Sequence, residues 1–193
     1  METILYLVRH GETDWNVSRR IQGHSDVDLN EQGVLQAKRV GEHFREKTIH
    51  AIYSSDLRRA RNTAARIARH FSREVAAHTS LRERCYGEWE GLTYEEIQAR
   101  FANRDETSCG IESFEEMQQR AVRALTGLAQ RHPGESIVVV SHGGLINSFL
   151  HYVTGGRQGT GITKIDNTGY CVFRYCDQNW EVLQVNNTDH LQA

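Results

Sequence analysis

Continuous apolar runs alternate along the chain with segments in which apolar residues recur every three or four positions. The runs TILYLV at residues 3–8 and IVVV at residues 137–140 are typical of strands buried on both faces of a parallel sheet. In residues 30–47 the apolar positions fall at helical spacing, and IHAIYSS at residues 49–55 predicts another short strand. The order strand, helix, strand predicts a β-α-β unit.

The same alternation continues through the middle of the chain. A single apolar stripe predicts a helix over residues 57–71, and an edge strand is predicted within the REVAAHTSL that follows. Two further helices are predicted to begin at capping boxes, in which a Ser or Thr precedes a Glu by three residues. The two boxes pair Thr93 with Glu96 and Ser113 with Glu116.

The last third of the chain completes the predicted fold. The strand at residues 137–140 leads into SHGGLINSFLHYVTGG, which predicts a turn, a helix and a glycine stop. The strands GYCVFRY and WEVLQVN are separated by CDQN and predict a hairpin. We therefore expect one domain over residues 1–193, an α/β fold in which a mostly parallel central sheet forms a three-layer α/β/α sandwich.

Composition narrows the classes of partner. Of 193 residues, 38% are apolar, enough for one sizeable core. The 23 Lys and Arg against 25 Asp and Glu give a net charge of -2, so neither nucleic acid nor an acidic membrane is expected as a partner. The opening METILYLV is neither a signal peptide nor a membrane span, and a cytoplasmic protein is expected, monomeric or homodimeric.

The four cysteines predict reduced thiols. They show no C-x-x-C pair and no zinc-like spacing with histidine, so neither a disulfide framework nor a metal site is expected. The cysteines are Cys85, Cys109, Cys171 and Cys176.

Candidate chemistry lies where the two apolar strands end. RHGE follows the first strand, and SHGG follows the strand at residues 137–140. In open α/β sheets ligands bind outside the carboxyl ends of the strands, so His10 and His142 are expected to face one pocket. Arg9 and the glycine after His10 make the first of these turns a candidate anion site.

Three of these and neighbouring motifs could have another function or a purely structural role. SHGG could be the oxyanion loop of an esterase, but the chain has no Gly-x-Ser-x-Gly elbow. GRQGTGIT at residues 156–163 has the glycine spacing of a Walker A loop, but Ile162 stands where the lysine is needed. The arginine-dense helix could be a solvated face or a nucleic-acid patch, yet Arg59 and Thr63 lie at the margin of its apolar stripe.

Four blocks of sequence together resemble the histidine phosphatase superfamily, which contains cofactor-dependent phosphoglycerate mutase and many small phosphatases. They are LVRHGETDWN, SSDLRRARNTA, LRERCYGEWEGLT and VVSHGGLI, and KIDNTGYCVF resembles the strand that closes the family's sheet. The resemblance covers nearly the whole chain.

The resemblance implies a role for each matching residue. His10 matches the nucleophile, Arg9 and Arg59 the phosphate-binding arginines, Glu83 the proton donor and His142 the second histidine of the pocket. Asn16, Gln22 and Gly23 match the substrate-binding positions. The match of L-x-E before an aromatic residue and glycine selects Glu83 among the five carboxyls of its neighbourhood.

The chemistry of these residue types agrees with the implied roles. A neutral imidazole is a competent nucleophile near pH 7. Two guanidiniums and a second imidazole, preferably protonated, suit the charge that spreads over the oxygens of a transferring phosphoryl group. An alkoxide leaving group needs a proton, which a carboxyl in an enclosed site can supply. Neither a cofactor nor a metal is required.

We therefore predict a metal-independent phosphomonoesterase that hydrolyses small phosphorylated metabolites through a phosphohistidine. Cofactor-dependent phosphoglycerate mutase is the alternative, and a catalytically silent phosphate-binding module is a further one. The segment between Glu83 and His142 is shorter than the corresponding segment of the phosphoglycerate mutases that the chain resembles. The mutase pattern also has a threonine at the position of Gln22. Both differences favour hydrolysis.

The sequence leaves the identity of the substrate open. α-Ribazole phosphate, sugar phosphates and phosphoglycerates are all possible. Candidates for the pocket rim are Trp15, Ile21, Tyr86 and the loops at residues 100–112 and 155–164.

Overall fold

In the computed structural model, which describes residues 1–192, six strands form one sheet. They are β1 (Thr3–Arg9), β2 (Ala51–Ser55), β3 (Val75–His78), β4 (Ser136–Ser141), β5 (Tyr170–Cys176) and β6 (Asn179–Asn187). The strand order is β3-β2-β4-β1-β5-β6. The first four strands are parallel, whereas β5 is antiparallel to both β1 and β6. The predicted mostly parallel sheet and the C-terminal hairpin are confirmed.

Helices cover both faces of this sheet. The helices described over residues 1–192 are α1 (Asp14–Val17), α2 (Glu31–Phe44), α3 (Arg58–Ala68), α4 (Tyr94–Phe101), α5 (Phe114–Gln130) and α6 (Gly143–Val153). Of these, α2, α3, α5 and α6 pack on the sheet. Leu5 and Leu7 of β1 share a core cluster with residues of α5 and α6, whereas Val8 belongs to a second cluster with α2 and α3. Successive strand residues point to opposite faces, so the two clusters form the two interfaces of a three-layer sandwich.

The apolar run of β4 is buried throughout. Residues 137–140 are all 0% exposed, and they alternate between the two core clusters. Because helices cover both faces, neither set of side chains meets water. This is why β4 is continuously apolar instead of alternating with polar residues.

Several predicted elements are longer than the observed ones. The strand predicted at residues 49–55 begins at Ala51, and the helical segment at residues 30–47 forms a helix over Glu31–Phe44. The helix predicted over residues 57–71 spans Arg58–Ala68, because Leu57 is extended and the chain tightens after Ala68 into turns with i−3 hydrogen bonds. The edge strand in REVAAHTSL covers only Val75–His78, since Thr79–Leu81 forms a short 3₁₀ turn. Such turns are common at the ends of regular elements.

Both predicted capping boxes are present. The Thr93 side chain accepts a hydrogen bond from the Glu96 amide, and Glu96 accepts one from the Thr93 amide. Ser113 and Glu116 form the same reciprocal pair. A third box, at Thr13 with Asn16, begins α1 and was not predicted, since asparagine replaces the usual acid or Gln.

Over residues 1–192, no helix combines the length and apolar character that crossing a bilayer requires. The four cysteine thiols, all within the same residues, are free.

Candidate active site

The predicted site residues converge on a cavity at the carboxyl ends of β1 and β4. The cavity has a volume of about 570 Å³. Seven of the eight predicted residues line it: Arg9, His10, Asn16, Gln22, Gly23, Arg59 and Glu83. The eighth, His142, is 0% exposed, and its ring centroid lies 5.2 Å from that of His10.

The sheet register brings the two histidines together. Strands β1 and β4 are parallel neighbours in which Arg9 pairs with Ser141, and the amide of His10 donates to the Ser141 carbonyl at 3.0 Å. His10 and His142 therefore follow paired positions at one edge of the sheet. Each then leads into a turn with glycine, as the RHGE and SHGG motifs predicted.

The imidazole of His10 is buried and oriented. It is 3% exposed, and its Nδ1 hydrogen bonds to the Gly11 carbonyl at 2.7 Å. A carbonyl only accepts, so Nδ1 carries the proton and Nε2 keeps the lone pair. Burial, followed by the charges of Arg59 and Arg9, holds the pKa of His10 well below its usual value. The ring is therefore neutral at pH 7, as a nitrogen nucleophile requires.

His142 departs from the expectation of a protonated second imidazole. Burial is the main reason that its pKa lies well below the usual value, and the charge of Arg59 adds to the effect. Both ring nitrogens are buried without a hydrogen-bond partner among residues 1–192. The second imidazole is thus neutral in the free protein, with unsatisfied polar atoms beside the cavity.

Two guanidiniums make the cavity electropositive, that of Arg59 in a buried residue and that of Arg9 in a half-buried one. Arg59 is 0% exposed and donates to the carbonyls of Ser25 and Gly23, both at 2.7 Å, while Arg9 donates to the Ile165 carbonyl at 2.7 Å. Their Nε atoms are buried and unpartnered within the described chain. Burial lowers the pKa of Arg59 to about 10, so it stays charged at neutral pH. An anion in the cavity would meet two fixed cations.

The helix that carries Arg59 is divided as the wheel predicted. Arg59 and Thr63 are buried, and the Thr63 hydroxyl accepts a hydrogen bond from the Gly11 amide at 3.0 Å. Arg58, on the outer face, pairs with Asp28. The dense arginines of α3 thus include one that faces the cavity and others that face solvent.

Thr13 orients two amide side chains of the site, a role that no local sequence pattern predicts. The Asn16 Oδ1 atom accepts a hydrogen bond from the Thr13 amide at 3.1 Å, and the Thr13 hydroxyl lies 3.0 Å from Gln22 Oε1. With their oxygens turned toward Thr13, Asn16 and Gln22 direct their NH₂ groups elsewhere. Both residues line the cavity, where their NH₂ groups are donors suited to phosphoryl oxygens.

The Glu83 carboxylate sits at the N-terminus of α6. Its oxygens accept hydrogen bonds from the amides of Gly144 at 2.9 Å and Leu145 at 3.1 Å. A Cβ atom at position 144 would lie 2.3 Å from Glu83 Oε1, so the second glycine of SHGG is needed for this approach. These two amide hydrogen bonds hold the Glu83 side chain at the cavity.

The rim of the cavity differs from the prediction in part. Ile21 and Tyr86 line it, as do residues 161–164 of the predicted glycine-rich loop. Trp15 does not line it, because its ring packs against Gly91, and the loop at residues 100–112 lies outside it. Asn147 and Ile165 line the rim and were missed, since nothing in their local sequence distinguishes them from core or loop residues.

Comparison with known proteins gives a consistent family. The sequence-family model of the histidine phosphatase superfamily (branch 1) matches residues 5–188 of the chain. The chain is 40% identical to phosphoglycerate mutase-like protein 4 of Arabidopsis thaliana, over 97% of this chain and 86% of that protein. It is 36% identical to the metal-independent phosphoserine phosphatase of the same plant, over 99% of this chain and 84% of that protein.

A solved structure agrees with the sequence relatives. A phosphoserine phosphatase mutant from Entamoeba histolytica, in complex with phosphoserine, superimposes with a TM-score of 0.83 at 29% identity. The match covers 98% of this chain and 99% of that one. The resemblance predicted from the four sequence blocks is confirmed, and the chain belongs to branch 1 of the histidine phosphatase superfamily.

Proposed function

We propose that the chain hydrolyses small phosphomonoesters without a metal, through a phosphohistidine on His10. One observation carries the proposal: a neutral, oriented imidazole lies beside two guanidiniums and a second imidazole. The Nε atoms of Arg9 and Arg59 and both ring nitrogens of His142 are buried without a partner in residues 1–192. Buried polar atoms are ordinarily hydrogen-bonded, so the arrangement favours an anionic ligand that supplies the missing partners. A phosphoryl group fits this donor set.

In the first step Nε2 of His10 attacks phosphorus in line with the ester oxygen. The N–P bond forms as the P–O ester bond breaks, and the electron pair of that bond goes to the leaving oxygen. Glu83, as a carboxylic acid, donates its proton to this oxygen, so an alcohol leaves. Arg9 and Arg59 neutralise charge on the remaining phosphoryl oxygens.

In the second step a water molecule attacks the phosphohistidine. Glu83, now a carboxylate, takes a proton from this water while the P–N bond breaks and its electron pair returns to Nε2. Inorganic phosphate leaves, and His10 and the protonated Glu83 are regenerated. Dividing the reaction into two displacements lowers the barrier of each.

The relatives bear on the choice between hydrolysis and phosphoryl transfer. Similar proteins are named metal-independent phosphoserine phosphatase and phosphatase PhoE, and the matched Entamoeba structure is a phosphoserine phosphatase. These names confirm the predicted phosphatase class, and the mutase alternative has less support. The short segment between Glu83 and His142 agrees, since it offers few residues to shield a phosphohistidine from water.

We propose a cytoplasmic location, in support of which all four thiols are free within residues 1–192. The single domain, the monomeric or homodimeric state and the lack of a nucleic-acid partner remain predictions. Size-exclusion chromatography with light scattering would distinguish the two oligomeric states.

The mechanism is tested by trapping the intermediate. His10→Ala should fold and lose at least about 1,000-fold in turnover, because the nucleophile is absent. The wild type, quenched from a ³²P-labelled substrate with a chelator present, should carry label that survives alkali and is lost in acid. Label that resists acid, or label on His10→Ala, would refute the phosphohistidine.

The substrate is sought by measuring phosphate release from a panel of phosphomonoesters, with phosphoserine included because of the named relatives. The mutase alternative is tested by supplying 3-phosphoglycerate with catalytic 2,3-bisphosphoglycerate. We expect free phosphate to form faster than 2-phosphoglycerate. The opposite order of rates would favour the mutase.

A further inference from the structure

Arg120 makes an unusual set of contacts outside the cavity. It lies on α5, and all three of its guanidinium nitrogens donate hydrogen bonds. Nη1 donates to the carbonyls of Ser80 at 3.0 Å and Arg82 at 2.8 Å, and Nη2 donates to the carbonyl of Glu83 at 3.2 Å. One side chain thus holds three backbone carbonyls in the four residues that end at Glu83.

Glu112 completes the arrangement. Its Oε1 and Oε2 atoms accept from Nε and Nη2 of Arg120, at 2.9 and 2.7 Å, in the bidentate geometry that arginine forms with carboxylates. Oε2 also accepts from the Cys85 amide at 3.1 Å. The Arg120–Glu112 pair therefore holds the backbone on both sides of Glu83.

The backbone of Glu83 lies in an irregular segment. Residues 82–86 belong to no helix or strand, so no regular hydrogen-bond ladder determines where the Glu83 side chain begins. Its carboxylate must nonetheless reach the amides of Gly144 and Leu145 at the start of α6. His24 gives the Glu83 carbonyl one further contact, at 2.9 Å.

We propose that Arg120 is a positioning residue for phosphoryl transfer, fixing residues 80–83 so that the Glu83 carboxyl faces the leaving oxygen. The inference rests on the proposed role of Glu83 as proton donor. Arg120 does not line the cavity, so a phosphoryl group bound there would be out of its reach. Its effect on the reaction is carried through Glu83, and it is greatest where the leaving group needs a proton.

The test uses Arg120→Lys, which keeps the positive charge but cannot form the fork to Glu112 together with three carbonyl contacts. Single-turnover phosphorylation is measured with glycerol phosphate and with p-nitrophenyl phosphate, whose phenolate leaves without a proton. The rate should fall about 10- to 100-fold for glycerol phosphate and less than about 3-fold for p-nitrophenyl phosphate. An equal loss for both substrates would overturn the inference.

Arg123→Lys is the matched control, because Arg123 is exposed on the same helix and, among residues 1–192, its side chain donates only to the Gln119 carbonyl of that helix. It should leave both rates unchanged. If Arg120→Lys fails to fold, Glu112→Gln takes its place, since it weakens the hold on Arg120 while the carbonyl contacts remain. A smaller split of the same sign is then expected, and no split would overturn the inference.

Glu83→Gln separates this inference from the proposed mechanism. It should show the largest split between the two substrates, and adding Arg120→Lys should cost glycerol phosphate less than about 3-fold more, because the two changes act through one group. A split in Glu83→Gln without one in Arg120→Lys overturns the role of Arg120 alone. No split in Glu83→Gln refutes the proton donor itself.

Discussion

At several positions of this site the residue type is required by close contact with neighbouring groups and not by a role in the reaction. Gly144 is necessary because a methyl group there would overlap the Glu83 carboxylate. Thr13 binds the side-chain oxygens of Asn16 and Gln22 through its backbone amide and its hydroxyl, and so fixes the orientation of both side-chain amides. The proposed catalytic groups therefore depend on neighbours that take no part in the reaction.

We predict that Gly144→Ala lowers kcat for an alkyl phosphate about 10- to 100-fold, because the new methyl group displaces the proposed proton donor. Steady-state assays with glycerol phosphate measure the effect. Gly127→Ala, where a Cβ atom would meet nothing within 4 Å, is the control and should not change kcat. Wild-type activity in Gly144→Ala would show that Glu83 is not held at the start of α6 during the reaction.

At the scale of elements, the turn after β1 is held against α2 by two glycines. A Cβ atom at position 33 would lie 2.0 Å from the Glu12 carbonyl oxygen, and one at position 11 would lie 2.5 Å from the Gly33 carbonyl oxygen. The backbone amide of Asn30, the N-cap of α2, donates a hydrogen bond to the Glu12 carbonyl. Helix α2 thereby fixes the turn that follows His10.

Two glycine-to-alanine variants on helices should change stability in opposite directions. Gly33→Ala should lower the free energy of unfolding by about 1–3 kcal/mol, because its methyl group overlaps backbone that cannot easily move. Gly127→Ala, in the interior of α5 with open space at its Cβ, should raise it by about 0.5–1 kcal/mol through helix propensity. Urea unfolding measures both. A stabilised Gly33→Ala would contradict the contact between the turn and α2.

At the scale of the whole molecule, buried histidines link stability to pH. Burial lowers the pKa of His10 and His142 well below 6.5, and it lowers that of His190 to about 4. His190 is 4% exposed, and its Nε2 lies 3.0 Å from the Thr168 hydroxyl. Below pH 6.5 the unfolded chain binds protons that the folded chain does not, so stability decreases as pH falls.

We predict a free energy of unfolding that is level above about pH 7 and declines from about pH 6.5 toward pH 4. His190→Gln should reduce the slope in this range by up to about 1.4 kcal/mol per pH unit, because one proton-linked group is removed. Urea unfolding at a series of pH values gives the slope. An unchanged slope in His190→Gln would mean that His190 titrates alike in the folded and unfolded chains.

Much of the fold could be predicted from the sequence, because burial on one or two faces leaves a periodic record in the chain. The continuous run of β4, the stripe of α3 and the capping boxes of α4 and α5 are all local patterns, and each is confirmed. The strand-end positions of His10 and His142 follow from the same patterns. Their meeting at one edge follows from the parallel order of the strands.

Only the tertiary structure decided features that depend on distances between remote segments. The sequence led us to expect a protonated His142. Its imidazole is neutral because it is buried beside Arg59, and neither fact can be read from the local sequence. Trp15 packs on Gly91 instead of lining the cavity, and Arg120 reaches the carbonyl of Glu83 from 37 positions away. Local pattern determines which face of an element is buried, whereas desolvation and close contact depend on what the rest of the chain places there.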